Sequence, residues 1–300
     1  MDMTQNKCCR HGASLRRRRR RRRKILRSII FSCSIIAVAV FVAVGSRMIR
    51  SGDGRTNRYD VEAGNNTYDN AVIENSKISG KNKIQNNQSM LDDIMNSTQY
   101  PKQLKDLALK NEEALEFVYD YPAEHVKEHT IDLTEEASMD SVPLFVQWDK
   151  RWGYEKYSGN FFAASGCGPT TLSMVVVYLT HNRDASPIAV AKYSKEAGYS
   201  VDGSGSSWTL ISEGCRHYGV KAKAVALDES RMKAELDEGH PIVVNVGPGD
   251  FTDTGHFMVI TGYDDEGFSI NDPNSIEKSG KRWLFKNISS QIRAVWSMYV

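Results

Sequence analysis

One cysteine stands where thiol chemistry is favoured, at the start of an apolar segment with helical spacing. Cys167 lies between Gly166 and Gly168, and Pro169 follows before the apolar run 172–179. Proline is favoured in the first turn of a helix, because an amide there has no intrahelical acceptor. The free amides and the positive end of the helix dipole favour the thiolate, which is the nucleophilic form. The pattern predicts a nucleophilic cysteine at a helix N-terminus.

A thiolate that hydrolyses an amide needs further groups, and the chain offers one of each kind. The reaction requires a general base, a group that orients the base, and hydrogen-bond donors for the oxyanion. His256 opens an apolar strand pattern after a Gly-rich loop, and Asp272 follows the next strand, sixteen residues later. Gln147, twenty residues before the cysteine, can donate its side-chain amide to the oxyanion. The predicted catalytic set is therefore Cys167 as nucleophile, His256 as base, Asp272 as orienting carboxylate and Gln147 as oxyanion donor.

The hairpin between His256 and Asp272 restricts where their side chains point. Residues 264–267 are a hairpin signal between the two strand patterns. If Tyr263 paired with Phe268, paired positions would sum to 531, and the carboxylate would face away from the imidazole. A loop of odd length, or a bulge at the glycine of the turn, would change the sum to 530 or 532. We expect such a shift, because it brings both side chains to one face.

The segment 141–300 is predicted to be an α+β catalytic domain. Helical patterns at 187–197 and 207–218 follow the cysteine segment, and strand patterns then take over. Helices first and antiparallel strands later are typical of this fold class. The expected strands are 142–149, 221–227, 242–246, 257–263, 267–271 and one near 281–285.

The N-terminal part of the chain has a different composition. Residues 1–27 hold twelve of the 39 Lys and Arg and one of the 37 acids, so residues 28–300 have 27 basic against 36 acidic residues. Residues 28–46 carry no formal charge and nearly span a hydrocarbon core of about 30 Å. We predict a cytoplasmic basic tail over 1–27 and a transmembrane helix over 28–46, because basic flanks stay in the cytoplasm. A cleaved signal peptide is the alternative, and a nucleic-acid partner is not expected.

Two segments separate the apolar run from the catalytic domain. Residues 47–91 are rich in Asn, Ser, Gly, Asp and Lys and indicate an extended stalk. Apolar spacing returns in 92–140, where Asn111 and the two acids after it are an N-cap signal. We interpret this helical annex as structural support for the catalytic domain, with a propeptide that plugs the groove as the alternative.

Other residues with ligand or redox potential receive no role. The run His125-Val126-Lys127-Glu128-His129 matches a zinc-peptidase pattern. Its surroundings are polar and no third ligand is evident, so we predict a solvated helix end and assign no metal and no cofactor. Cys8 and Cys9 fall in the basic tail and Cys33 in the apolar run. Cys215 is predicted to be a packed core thiol, because a bridge to the catalytic cysteine would block the nucleophile.

The order of the predicted catalytic set resembles that of papain-like cysteine peptidases. More narrowly, three motifs look like those of the bacteriocin-processing, double-glycine leader peptidases and especially of their stand-alone relatives: Gly166-Cys167-Gly168-Pro169-Thr170, Gly255-His256-Phe257-Met258-Val259-Ile260-Thr261-Gly262-Tyr263 and Asn271-Asp272-Pro273. The resemblance covers about half the chain, roughly residues 141–290. It implies a papain-like fold, with the nucleophile at the start of a helix that packs on an antiparallel sheet, and with the roles given above.

The chain departs from the leader peptidases in two respects. Those enzymes commonly have an aspartate where this chain has Gly166, and they are fused to a transport ATPase whose phosphate-binding motif is absent from this sequence. Leader cleavage coupled to export is therefore not implied. The sequence predicts a membrane-anchored cysteine peptidase, placed outside a Gram-positive cell, that acts on peptides or proteins, cell-wall peptides included. A transpeptidase or acyltransferase with the same thiol, or an inactive papain-like module that binds peptide or cell wall, remains the alternative.

Overall fold

The computed structural model describes residues 84–300, and helices precede most of its sheet. Short 3₁₀ turns lie at Glu112–Ala114, Gly214–Tyr218 and Ser289–Gln291. The helices are α1 (84–96), α2 (Lys102–Lys110), α3 (Leu115–Tyr119), α4 (Tyr121–Glu124), α5 (Thr134–Ser138), α6 (Phe162–Ser165), α7 (Cys167–Thr180), α8 (Pro187–Glu196), α9 (Thr209–Ser212), α10 (Glu229–Asp237), α11 (Ile276–Ser279) and α12 (Phe285–Ile288).

The strands form one six-stranded sheet and two short hairpins within the described residues. The strands are β1 (Lys156–Tyr157), β2 (Asn160–Phe161), β3 (Ser200–Val201), β4 (Gly205–Ser206), β5 (Lys221–Ala224), β6 (Ile242–Val246), β7 (His256–Asp264), β8 (Gly267–Asn271), β9 (Arg282–Trp283) and β10 (Ile292–Tyr299). The main sheet is antiparallel throughout, in the order β5-β10-β6-β7-β8-β9. The predicted α+β class is confirmed.

The helix that begins at Cys167 is buried between the sheet and the other helices. All ten residues from Gly168 to Val177 are buried, and their apolar side chains share one core with Phe257 and Val259 of β7. A helix that is apolar on every side needs cover on every side. The hydroxyl of Thr171 donates a hydrogen bond of 3.0 Å to the carbonyl oxygen of Phe257, which fixes the helix against the strand. The start of α7 is therefore held at one end of β7.

Several predicted elements differ in the structure. The strand expected over 142–149 does not form; that segment is irregular and is tied down by hydrogen bonds from Asn271 to the carbonyls of Val142 and Pro143. The longest elements that were not predicted are α10 and β10, and several short helices and strands were not predicted either. The strands expected at 242–246 and 267–271 have the predicted bounds; β7 is one residue longer than predicted at each end, and β5 and β9 are shorter than predicted.

The annex packs on the catalytic domain instead of standing apart from it. Leu104, Leu107 and Phe117 of the annex share a buried cluster with Phe161 and Ala163, which lead to the cysteine. The helix α1 includes residues 84–91, so this part of the segment assigned to an extended stalk is helical.

The polar contacts of the annex reach the turn after Asp272. Asn111 accepts a hydrogen bond of 3.0 Å from the backbone amide of Glu113, as its N-cap signal predicts, and donates one of 2.9 Å to the carbonyl of Asn274. The carboxylate of Glu113 accepts from the hydroxyl of Ser275 and from the first two amides of α11, at 2.7 and 3.1 Å. These contacts fit the predicted supporting role of the annex.

The predictions for the basic tail, the transmembrane helix and the stalk up to residue 83 fall outside the described residues, as do those for Cys8, Cys9 and Cys33. Within 84–300, no helix combines the length and the apolar character that a membrane crossing requires.

Candidate active site

Cys167 is the first residue of α7, as the sequence predicts, and its thiol is free. A Cβ atom added at Gly166, the residue before it, would lie 2.6 Å from the ring of Phe162. That contact is too close for any side chain, so the ring explains why glycine stands where the leader peptidases commonly have aspartate. Pro169 lies in the first turn of the helix, again as predicted.

His256 and Asp272 are in direct contact, although sixteen residues separate them. His256 is the first residue of β7, and Asp272 directly follows β8. The Nε2 atom of His256 lies 2.7 Å from the Oδ1 atom of Asp272, and both side chains are buried. The same oxygen accepts a hydrogen bond of 2.8 Å from the backbone amide of Asn274. Because Nε2 is engaged by the carboxylate, Nδ1 is the ring nitrogen left for the sulfur.

A β-bulge brings these two side chains to one face of the hairpin. Next to the turn, Tyr263 pairs with Phe268, so paired positions sum to 531, but further along Ile260 pairs with Ile270 and the sum is 530. The extra residue is Thr261. The predicted shift of register is confirmed, whereas the predicted position of the bulge, at the glycine of the turn, is wrong.

The contacts of the three side chains favour a thiolate beside an imidazolium. Burial alone would raise the pKa of the Cys167 thiol, but the hydrogen bond and the positive charge of His256 outweigh it and hold that pKa below its usual value. Burial alone would lower the pKa of His256, and the charge and hydrogen bond of Asp272 raise it instead. The carboxylate therefore stabilises the imidazolium, which in turn stabilises the thiolate.

Gln147 lines the same cavity as Cys167, and one of the two hydrogens of its side-chain amide is bonded within the protein. Its Nε2 atom donates a hydrogen bond of 2.7 Å to the carbonyl of Ala163, and its backbone amide donates one of 2.7 Å to the carbonyl of Pro273. A side-chain amide has two N–H donors. Gln147 lines the same cavity as Cys167 and His256, and its second N–H has no protein acceptor among the described residues.

The second thiol of the described residues is structural. Cys215 is fully buried in the apolar core that surrounds α7. Burial raises its pKa to about 11, so the side chain stays protonated and inert at neutral pH. The prediction of a packed core thiol is confirmed.

The two histidines of the zinc-peptidase pattern make contacts with nearby residues of the annex. The ring of His125 stacks on that of Tyr121 with centroids 4.1 Å apart, and the Nδ1 atom of His125 lies 2.5 Å from the carbonyl oxygen of Tyr121. His129 lies 3.6 Å from the carboxylate of Glu124. No cluster suited to a metal ion occurs within residues 84–300.

Two cavities meet at Cys167. The first has a volume of about 510 Å³ and is lined by His256, by Gln147, by residues of α2 and by the loop 249–255. The second, of about 690 Å³, contains neither the histidine nor the glutamine. Its wall includes residues 203–206 and Trp208, the end of β6 with the two residues after it, and Arg293.

Most of the residues that line these two cavities were not predicted from the sequence. The wall contributed by α2 depends on how the annex docks, and no local pattern predicts that docking. Trp208 lines the second cavity and is 47% exposed although it is a large aromatic. Arg293 belongs to the unpredicted strand β10.

Comparison with known proteins gives a match to one family model and similarity to solved structures. Residues 139–300 match the family described as Peptidase_C39 like family. Among solved structures, the peptidase domain of Streptococcus ComA, a bifunctional ABC transporter involved in a quorum-sensing pathway, is 19% identical and covers 45% of this chain and 90% of its own, with a TM-score of 0.36. A C39-like peptidase from Bacillus anthracis is 16% identical and covers 57% of this chain and 98% of its own, with a TM-score of 0.33. No curated protein matches the sequence.

The family match alone carries the assignment, and it includes all four residues of the predicted catalytic set. It also spans more than half of the 300 residues. The chain therefore belongs to the Peptidase_C39 like family and is a cysteine peptidase.

Proposed function

We propose that this cysteine peptidase hydrolyses peptide bonds through an acyl-enzyme on Cys167, with His256 as base and acid and Asp272 as the group that orients it. The observation that carries the proposal is the 2.7 Å contact between His256 and Asp272, in a cavity that His256 and Cys167 line together. His256 also lowers the pKa of the Cys167 thiol. A nucleophile, a base within hydrogen-bond reach and a third group that orients the base are the arrangement that covalent amide hydrolysis requires.

The protons and bonds balance with these groups alone. The sulfur of Cys167 attacks the substrate carbonyl, and the carbonyl oxygen becomes an oxyanion that the free Nε2 hydrogen of Gln147 and the Cys167 backbone amide can receive. The C–N bond then breaks, and the imidazolium of His256 gives its proton to the departing amine. Water attacks the thioester, loses a proton to the imidazole and releases the acid product together with the thiolate.

The position of His256 sets the direction in which a substrate lies in the groove that the two cavities form across Cys167. The departing amine must lie beside the imidazole that protonates it, so the segment after the scissile bond occupies the 510 Å³ cavity, which His256 lines. The acyl segment before the bond then occupies the 690 Å³ cavity, which Cys167 lines and His256 does not. In this arrangement the annex contributes part of the wall on the leaving-group side, because Asp106, Leu107 and Lys110 of α2 line that cavity.

Product analysis tests the reaction type. We expect the full chain to cleave members of a mixed peptide library and to release free carboxylic acids, both with and without a large molar excess of glycinamide, which would compete with water for the acyl-enzyme. Mass spectrometry of the products distinguishes the outcomes. Products that carry glycinamide as the main species would favour the acyltransferase alternative, and no turnover of any peptide would favour a binding module.

A change of the oxyanion donor is expected to affect the chemical step more than binding. Gln147→Ala should lower kcat by about 10²–10³-fold with little change in KM, because the donor acts on charge that develops only in the transition state. Steady-state kinetics on one cleaved peptide measure both constants. Gln103→Ala is the matched control, because Gln103 lines the same cavity on α2 and should affect KM only. Equal effects of the two variants on kcat would contradict the oxyanion role.

We also propose that the enzyme is anchored in a bacterial membrane with its catalytic domain outside. The proposal is supported by the sequence, in which residues 1–27 hold twelve basic residues and the nineteen residues 28–46 carry no formal charge. Positive flanks stay on the cytoplasmic side of an apolar span. Protease added to intact cells should remove the catalytic domain and leave the basic tail protected; protection of both would contradict this orientation.

A further inference from the structure

Apart from Cys167, the described residues put a single charged side chain in the lining of the cavity proposed for the acyl segment. Glycine, serine, threonine, alanine, asparagine and apolar side chains form the rest of its wall, and the charged side chain is that of Arg293. The 510 Å³ cavity on the other side of the cysteine is different, because both negatively charged aspartates and positively charged lysines line it. A lone guanidinium in an otherwise neutral cavity gives the two halves of the groove different electrostatic character.

A β-bulge directs this arginine into the cavity. In the pairing of β10 with β6, Ile292 is opposite Val246 and Ala294 is opposite Asn245, so Arg293 is the extra residue that has no partner. Bulges change the direction of a side chain and are common beside active sites. The side chain lies over the backbone of Gly247, where an added Cβ atom would be 2.8 Å from the arginine Nε atom. A side chain at residue 247 would therefore push the guanidinium away from this position.

The guanidinium is positioned but not neutralised. One nitrogen, Nη1, donates a hydrogen bond of 2.8 Å to the carbonyl of Ser290, and no carboxylate within residues 84–300 forms an ion pair with Arg293. A guanidinium has five N–H donors in a planar fork that matches the two oxygens of a carboxylate. Most of the donors of Arg293 therefore remain open to a ligand in the cavity.

We propose that Arg293 is a specificity-determining residue that binds a carboxylate on the acyl side of the substrate, so that peptides with Asp or Glu before the scissile bond are preferred. The assignment of this cavity to the acyl side rests on the proposed function, because the position of His256 sets the direction of the groove. The bond to the Ser290 carbonyl holds the fork in place, which lowers the entropy lost when a carboxylate binds.

Matched peptides test the preference. In a six-residue peptide that the full chain cleaves, Glu, Gln or Lys is placed in turn at each of the four positions before the scissile bond. At one position we expect kcat/KM for Glu to exceed that for Gln about tenfold and that for Lys by more, the scale of a charged hydrogen bond. The preference should fall as salt is raised, because the site is exposed to solvent.

Charge reversal identifies the residue responsible. Arg293→Glu should reverse the ratio of kcat/KM between the Glu and Lys peptides, and Arg293→Lys should keep its sign while reducing its size. Arg231→Glu is the matched control. It makes the same substitution on α10, at a residue that lines neither cavity, and should leave the ratio unchanged. A ratio that is the same in the wild type and Arg293→Glu overturns the proposal.

A binding experiment separates this inference from the proposed reaction. Fluorescence anisotropy of the labelled Glu and Lys peptides with the full-length Cys167→Ala variant measures recognition without turnover. Preference for Glu in binding, with no cleavage by the wild type, would reject the proposed reaction and keep the arginine site. Cleavage without any preference for Glu, in turnover or in binding, would keep the reaction and reject the site.

Discussion

Cys167→Ala is expected to lower kcat for peptide hydrolysis by about 10⁴-fold or more, because loss of the nucleophile removes the covalent route entirely. Stability should change little. Cys167 is only half-buried, and alanine suits the first turn of a helix. The measurement pairs steady-state kinetics with urea unfolding of the same preparation.

The second thiol provides a control with the opposite outcome. Cys215→Ala should leave kcat unchanged and lower the free energy of unfolding by about 1 kcal/mol, because it leaves a small cavity in a fully buried site. The two thiols should also differ in alkylation by iodoacetamide at pH 7. Cys167 should react quickly because His256 lowers its pKa, and Cys215 should not react because burial raises its pKa to about 11. Equal and slow alkylation of both would contradict a thiolate at residue 167.

The residues of the site could be predicted because each carries a local signal of its function. Cys167 precedes Pro169 at the start of an apolar helix, and His256 and Asp272 mark the ends of two strands joined by a recognisable turn. Helix starts and hairpin turns depend on neighbours within a few residues, so the sequence contains the information needed. The same reasoning predicted the Asn111 cap of the annex.

The position of the bulge could not be predicted, because it depends on contacts with the core on both faces of the sheet. In β7, Phe257 and Val259 face the core around α7, while Met258 and Ile260 face the second apolar cluster. The structure places the extra residue at Thr261, between these alternating positions and the turn. The local sequence is equally compatible with a bulge at the turn.

The last strand was missed for a related reason. Ile292 and Val295 of β10 lie in one apolar cluster although three positions separate them, and Trp296 and Met298 lie in the other. The bulge at Arg293 breaks the two-residue alternation by which strands are recognised. The bulge that directs Arg293 into the 690 Å³ cavity is therefore also the reason why the strand that contains it was not predicted.

Two substitutions of Asp272 are expected to have different effects, because one oxygen of its carboxylate makes both hydrogen bonds. Oδ1 receives the Nε2–H of His256 and the backbone amide of Asn274, at 2.7 and 2.8 Å. Both are donors, so an asparagine here would place its carbonyl oxygen in that position and keep the imidazole oriented. Asp272→Ala removes the acceptor and should lower kcat by about 10²-fold or more, the scale of general acid–base catalysis.

Asp272→Asn should retain measurable activity over a narrower range of pH. The carboxylate charge raises the pKa of His256, so its removal lowers that pKa, and the imidazolium loses its proton at a lower pH than in the wild type. The imidazolium also lowers the pKa of Cys167, so a weaker imidazolium lets the thiol pKa rise. The acid limb of kcat/KM against pH should move up and the basic limb should move down, because the two groups titrate as a pair.

The shape of this profile separates an electrostatic role of Asp272 from a purely structural one. If the carboxylate only held the loop that contains Asn274, Asp272→Asn would preserve the hydrogen bonds and leave both limbs where they are in the wild type. If its charge stabilises the imidazolium, the window narrows although the fold is unchanged. Near wild-type activity of Asp272→Asn with neither limb moved, beside a large loss in Asp272→Ala, would contradict the charge-based role and would leave orientation as the carboxylate's whole contribution.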